Sequence, residues 1–108
     1  MLIFHHLVVP AGTEGRDTLY TPPPPRACLV KRMEIYFPPG DADELQVAFY
    51  RGDMQVYPRQ GVFVGDSVKW VVEEEERWEA GQPIVISYRN LNPAYARVVD
   101  ILAHIELV

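Results

Sequence analysis

The chain has 108 residues and a formal net charge of −5, from 15 acidic against 10 basic side chains. That length holds one domain with one core, and a composition of 48% apolar and 23% charged residues excludes a disordered chain. The acidic balance disfavours a nucleic-acid backbone as partner, and the single cysteine, Cys28, excludes an intrachain disulfide or a cysteine-based zinc site.

In chain order, Met1 to Val9 is apolar but interrupted by His5 and His6. It lacks the basic n-region of a signal peptide and is too short to cross a bilayer, so it predicts a β-strand, with no membrane partner. That strand is apolar on both faces, Leu2, Phe4 and Val8 on one and Ile3, Leu7 and Val9 on the other. An outer strand of a sandwich should show one polar face. Pro22, Pro23, Pro24 and Pro25 form an extended run that cannot pair centrally in a sheet. Residues 1–26 therefore read as an N-terminal strand and a proline-rich connector, packed against a neighbouring subunit and removable without unfolding the rest; the alternative is a central strand covered on both faces by its own chain.

From residue 29 onward the period is two rather than 3.6. Leu29, Lys31, Met33, Ile35 and Phe37 share one face and read as the core side. Leu45, Val47 and Phe49 alternate likewise, as do Val68, Trp70 and Val72, then Ile84, Ile86 and Tyr88. The longest alternation is Val99, Ile101, Ala103, Ile105 and Leu107. Turn signals punctuate these runs at Pro38-Pro39-Gly40-Asp41, Gly52-Asp53, Gly65-Asp66, Gly81-Gln82-Pro83 and Asn90-Leu91-Asn92-Pro93. Gly52-Asp53 predicts a two-residue hairpin turn with glycine first, type II′. Glu73 to Ala80 allows two helical turns, but the preceding two-residue period favours a strand continuing to about Glu76. Together these elements predict a single all-β domain, an antiparallel β-sandwich or jelly roll of about eight strands with little helix. Its core should contain Met33, Ile35, Phe37, Val47, Phe49, Trp70, Ile86, Ile101 and Ile105.

Each candidate chemistry has a plainer reading beside it. Arg51-Gly52-Asp53 is the tripeptide that integrins read, but Gly-Asp already has a turn to make. His5 and His6 point to opposite faces of a regular strand, so both cannot ligate one ion, although His104 meets one of them if the first and last strands pair. Asp41, Asp43 and Glu44 crowd one loop without calcium-loop spacing and read as solvated. Glu73-Glu74-Glu75-Glu76 reads as a solvated strand end that discourages edge pairing, or as a complement to a basic partner. No nucleophile elbow, phosphate loop or His-Glu-x-x-His motif is present. The expectation is a protein that is not an enzyme, with no cofactor, no metal and no catalytic residues. Tyr36, Tyr50, Tyr57, Trp78 and Tyr95 fall on less apolar faces or in turns, where they could stack on a glycan or anchor an interface.

Residues 27 to 108 resemble small proteins encoded in the structural regions of tailed phages. The resemblance rests on a strand ending in Phe37-Pro38-Pro39-Gly40, and on a hairpin from Leu45 that closes on Val56-Tyr57-Pro58. The turn Gly65-Asp66, the segment Ile84-Val85-Ile86-Ser87-Tyr88-Arg89-Asn90 and the long final strand complete it. It implies a decoration or cement-like virion component, made in the host cytoplasm. Such a component would bind phage capsid protein and itself as a homo-oligomer, by analogy a trimer. Leu2, Phe4, the proline run Pro22 to Pro25, Tyr36, Tyr57 and Trp78 are then the candidate interface. The alternative is a carbohydrate-binding module using exposed aromatics.

Overall fold

A computed structural model describes residues 1–108 as an all-β protein of nine strands with no helix. The strands are β1 (Leu2–Val9), β2 (Glu14–Tyr20), β3 (Cys28–Phe37), β4 (Leu45–Arg51), β5 (Met54–Tyr57), β6 (Val68–Val72), β7 (Glu76–Trp78), β8 (Ile84–Asn90) and β9 (Arg97–Leu107). A five-stranded sheet runs β1-β9-β3-β6, with β7 also on β3, and a four-stranded sheet runs β2-β8-β4-β5. All pairings are antiparallel. The two sheets pack face to face as a sandwich.

The alternating positions fill the space between the sheets. Met33, Ile35 and Phe37 meet Val99, Ile101, Ala103 and Ile105 from one sheet, with Leu45, Val47, Phe49, Ile84 and Ile86 from the other, all buried. Two expectations for the core fail. On β3 the inward residues before Met33 are Cys28 and Val30, not Leu29 and Lys31. A β-bulge between Val30 and Arg32 absorbs Lys31 as an extra residue, which shifts the phase and leaves the ammonium in solvent. Trp70 does face inward, opposite Ile35, but β6 is an edge strand and Trp70 stays 43% exposed. Its ring covers Phe63 at 6.0 Å between centroids, and its Nε1 donates to the Val64 carbonyl at 2.8 Å.

The N-terminal 26 residues are integral to the sandwich and hold two strands. β1 pairs with β9 from Leu2 to Val9, β2 pairs with β8, and Leu7, Val9 and Leu19 are buried. Removing residues 1–26 would strip an edge strand from each sheet, so it cannot leave an intact fold. The proline run carries the chain from the four-stranded sheet to the five-stranded one. Pro22 is buried in its own chain and its carbonyl accepts from Gly81 N–H at 2.9 Å, while Pro23, Pro24 and Pro25 are exposed. The run is not extended as expected, because the chain turns at Pro24-Pro25 to enter the second sheet, with Arg26 N–H donating to the Pro23 carbonyl at 2.9 Å.

The Gly52-Asp53 hairpin has the expected form, Arg51 opposite Met54 with Gly52 at φ +60°. The Glu73 region is strand rather than helix, but interrupted: β6 ends at Val72 and the chain rejoins β3 only at Glu76.

Candidate functional site

Pairing fixes which side chains share the outer face of the five-stranded sheet. Leu2, Phe4, His6 and Val8 of β1 lie opposite His104, Leu102, Asp100 and Val98 of β9. Arg32, Glu34 and Tyr36 of β3 come next, then Lys69 and Val71 of β6. The face is divided. Toward β3 and β6 its charges are paired: Glu34 lies 3.0 Å from both Lys69 Nζ and His104 Nε2. The His104 imidazole and the Lys69 ammonium hold the Glu34 carboxyl below the ordinary glutamate range. Toward β1 the face is more apolar and open, with Leu2 61%, Phe4 65% and Val8 53% exposed and the His6–Asp100 pair between Phe4 and Val8. Between the two halves, Phe4, Glu34, Tyr36, Lys69, Asp100 and Leu102 line a shallow groove of about 270 Å³.

The four-stranded sheet presents a different outer face. Small residues, Ala48 and Ser87, form the floor of a cleft of about 330 Å³ flanked by Arg16, Gln46, Tyr50 and Arg89. The Arg16 guanidinium lies over the Tyr50 ring at 4.7 Å from its centroid. On the opposite side of β2, Gly15 makes room for Tyr88, since a Cβ there would sit 2.8 Å from its hydroxyl.

The aromatic candidates do not form a row. Tyr36 is on the outer face of one sheet, Tyr50 on that of the other, and Tyr95 is exposed in the loop between β8 and β9. Tyr57 and Trp78 are buried between the sheets with ring centroids 6.2 Å apart, and so cannot touch a ligand or a neighbouring subunit. The Tyr57 hydroxyl donates to the Glu74 carbonyl, and burial drives its pKa strongly upward. Arg51, the first residue of the integrin-type tripeptide, donates to Glu76 Oε2 at 3.1 Å and to the Arg77 carbonyl at 2.9 Å, beside the Trp78 ring.

Internal partners absorb the other charged motifs. Glu73 pairs with Arg32, Glu74 with Arg59, Glu75 with Lys31, and Glu76 with Arg51 and Arg59, so the acidic run is neutralised within its own chain. The histidines do not converge. His5 Nε2 lies 3.0 Å from Asp17 Oδ2 at the seam between β1 and β2, His6 bonds Asp100, and His104 bonds Glu34. No group of three His, Cys, Asp or Glu side chains has the geometry of a metal site. Burial pushes the Cys28 thiol up, away from thiolate reactivity.

Asp43 is exposed, but the other two loop acids, Asp41 and Glu44, are structural rather than solvated. Asp41 is buried; its Oδ1 accepts from Val98 N–H at 3.3 Å and its Oδ2 has no partner. Desolvation raises its pKa. Glu44 accepts from Asn92 Nδ2 at 3.0 Å and from Arg97 at 3.1 Å. Buried Asn90 donates to the carbonyls of Val9, Pro10 and Tyr95 at 3.1, 3.3 and 3.0 Å. This network ties three loops together at one end of the sandwich. Nothing in residue spacing marked Asn90 or Asp41; the turn residues that read as punctuation also form a polar lock.

No protein-family model matches the chain, and no curated protein matches it. Three solved structures resemble it over nearly its whole length. A de novo designed double-stranded β-helix is 17% identical, with 95% of this chain and 97% of that one covered and a TM-score of 0.31. PirA is 16% identical, with 94% of each chain covered and a TM-score of 0.40. A Bacillus endospore appendage protein, from a family of disulfide-linked pili, is 11% identical, with 94% of this chain and 85% of that one covered and a TM-score of 0.36. No helix is long and apolar enough to cross a membrane.

Proposed function

We propose that this protein is a non-enzymatic structural component of a virion. It binds capsid subunits and itself through the β1 side of the five-stranded sheet, in the manner of a decoration or cement protein. The observation that carries the reading is the exposure of Leu2, Phe4 and Val8 on one face of β1, a strand whose other face buries Leu7 and Val9 in the core. Several large apolar side chains exposed on one strand face mark an interaction site. Pro23, Pro24 and Pro25 are exposed on a tight turn, and Tyr36 offers an aromatic anchor on the same face as Phe4.

The strand order supports the finer fold reading of a jelly roll. With β6 and β7 counted as one interrupted strand, the sheets read 1-8-3-6 and 2-7-4-5, as when a long antiparallel ribbon rolls up on itself. Capsid and lectin domains both use that architecture. The lectin-like alternative, a glycan module, rests on the cleft beneath Arg16 and Tyr50 rather than on a row of aromatics.

The test is co-expression with the major capsid protein encoded in the same genome, followed by sedimentation of the assembled shells. Saturable retention of the chain on shells is the expected result. A chain that stays in the supernatant while binding immobilised glycans would move the assignment to the carbohydrate module.

A further inference from the structure

Four strand edges bound the two sheets, and three of them are guarded against pairing with another chain. β2 carries Glu14, Arg16 and Asp17; β5 has only four residues and a register shift against β4; β6 and β7 are short and carry Lys69, Glu76 and Arg77. Charge, brevity and bulges are the devices by which sheets blunt their edges. β1 has none of them. It runs eight residues, Leu2–Val9, without an Asp, Glu, Lys, Arg or Pro, and pairs with β9 in unbroken register.

The hydrogen-bond phase shows what that edge offers. Met1 exchanges both backbone bonds with Ile105: its amino group donates to the Ile105 carbonyl, and its carbonyl accepts from Ile105 N–H, each at 2.8 Å. Bonded pairs alternate along an antiparallel ladder. Ile3, His5, Leu7 and Val9 are therefore bonded to β9, while the N–H and C=O groups of Leu2, Phe4, His6 and Val8 point away from it. No intramolecular bond outside the ladders satisfies the backbone of those four residues.

We propose that β1 pairs antiparallel with β1 of a second copy across a two-fold axis, joining two five-stranded sheets into one. The proposal rests on the self-binding part of the function given above and names its partner and geometry. An identical strand suits this edge, because antiparallel self-pairing is what a two-fold axis normal to the sheet produces. In the register centred on His5, Leu2 lies opposite Val8 of the second copy and Phe4 opposite its His6. All four outward residues then form bonded pairs. On the inner side Ile3 lies opposite Leu7 of the second copy. Leu2 and Val8 of the two copies then flank a centre in which each Phe4 lies beside the other copy's His6–Asp100 pair. A chain of net charge −5 repels its copies, and β1 is the long edge strand with no Asp, Glu, Lys or Arg of its own; the carboxylates nearest the axis, Asp17 and Asp100, are each held by a β1 histidine, His5 and His6. The symmetry is two-fold, not the three-fold that the virion analogy implies.

The test compares His6→Pro with His6→Ala in the full chain by light scattering from dilute to concentrated solution. Both lose the imidazole bond to Asp100, but only proline removes an N–H that points outward. Proline is tolerated where a strand's N–H faces away from the sheet. The wild-type and His6→Ala chains should approach twice the 12.4 kDa monomer mass. His6→Pro should stay folded and weaken dimerisation at least tenfold. Phe4→Pro, set against Phe4→Ala, repeats the comparison at the neighbouring outward position. A wild-type chain that stays monomeric, or an oligomer indifferent to both prolines, overturns the proposal. So does unfolding by both prolines, which would mean that those N–H groups are bonded within the fold. A monomer that still binds shells overturns the pairing alone; a dimer of this kind that ignores shells overturns the functional reading alone.

Discussion

Phe49 and Trp70 occupy equivalent positions in the sequence pattern, each the inward aromatic of an alternating run, and their truncation should have different consequences. Phe49 is fully buried at the centre of the four-stranded sheet, opposite Ile86 on β8 and 6.4 Å from the Phe63 ring. A buried aromatic removes about 150–250 Å² from water. At about 25 cal/mol per Å² this is worth about 4–6 kcal/mol, an upper bound because the unfolded chain already buries part of that area. The usual range for Phe→Ala in a packed core is about 3–5 kcal/mol. Trp70 keeps 43% of its surface exposed and makes one neutral hydrogen bond, so Trp70→Ala should cost about half as much. Urea unfolding followed by far-ultraviolet circular dichroism reads both variants with a probe that does not depend on tryptophan. With a slope of roughly 2 kcal/mol per M, Phe49→Ala should lower the midpoint by about 2 M and Trp70→Ala by about 1 M. Equal losses, or a larger loss at Trp70, would refute the placement of β6 at the sheet edge. A loss below about 1 kcal/mol at Phe49 would refute the assignment of its face.

Gly52→Val should destabilise the β4–β5 hairpin, because Gly52 sits at φ +60° in open space, a conformation that a β-branched residue adopts at a cost of about 1–2 kcal/mol or more; Asp53→Ala in the same turn should leave the melting temperature nearly unchanged. Asp41→Asn should stabilise the protein at neutral pH. The Asp41 carboxyl has a raised folded pKa, so its favourable contribution is full below the ordinary aspartate value and is lost as pH rises through the folded one. Asparagine mimics the protonated form, and the advantage of Asp41→Asn should shrink toward zero in acid. Thermal melts of both proteins across pH check this, and a variant less stable than wild type at pH 7 would contradict it.

Alternation made the sandwich and most of its core readable without coordinates, because each strand hides one face and a two-residue period records which. It failed where the backbone breaks phase or where position in the sheet matters more than face. The bulge at Lys31 leaves the hydrophobic pattern of β3 readable in two ways, and no single residue there announces the extra step. Trp70 has an inward residue's pattern and an edge strand's exposure, and the edge is a property of strand order. Tyr57 and Trp78 lie on strands of four and three residues, too short to show a period, so they read as turn residues when they are core. The candidate interface was half legible. Leu2 and Phe4 follow from a strand apolar on both faces. Pro22 was lost to the interior and the rest of the run closes a turn, because consecutive prolines fix φ but neither the turn the chain takes nor which of their rings it covers. The open edge of β1 could not be seen at all from residues, since it depends on β9 taking one side and nothing taking the other.

The most direct measurement of that edge is residue-resolved amide hydrogen exchange at low and high protein concentration. At low concentration the amides of Ile3, His5, Leu7 and Val9 should be protected by β9, while those of Phe4, His6 and Val8 exchange rapidly. At high concentration the second set should become protected as well, with the rest of the molecule unchanged. Amides of Phe4, His6 and Val8 that exchange equally fast at every concentration would contradict assembly through β1.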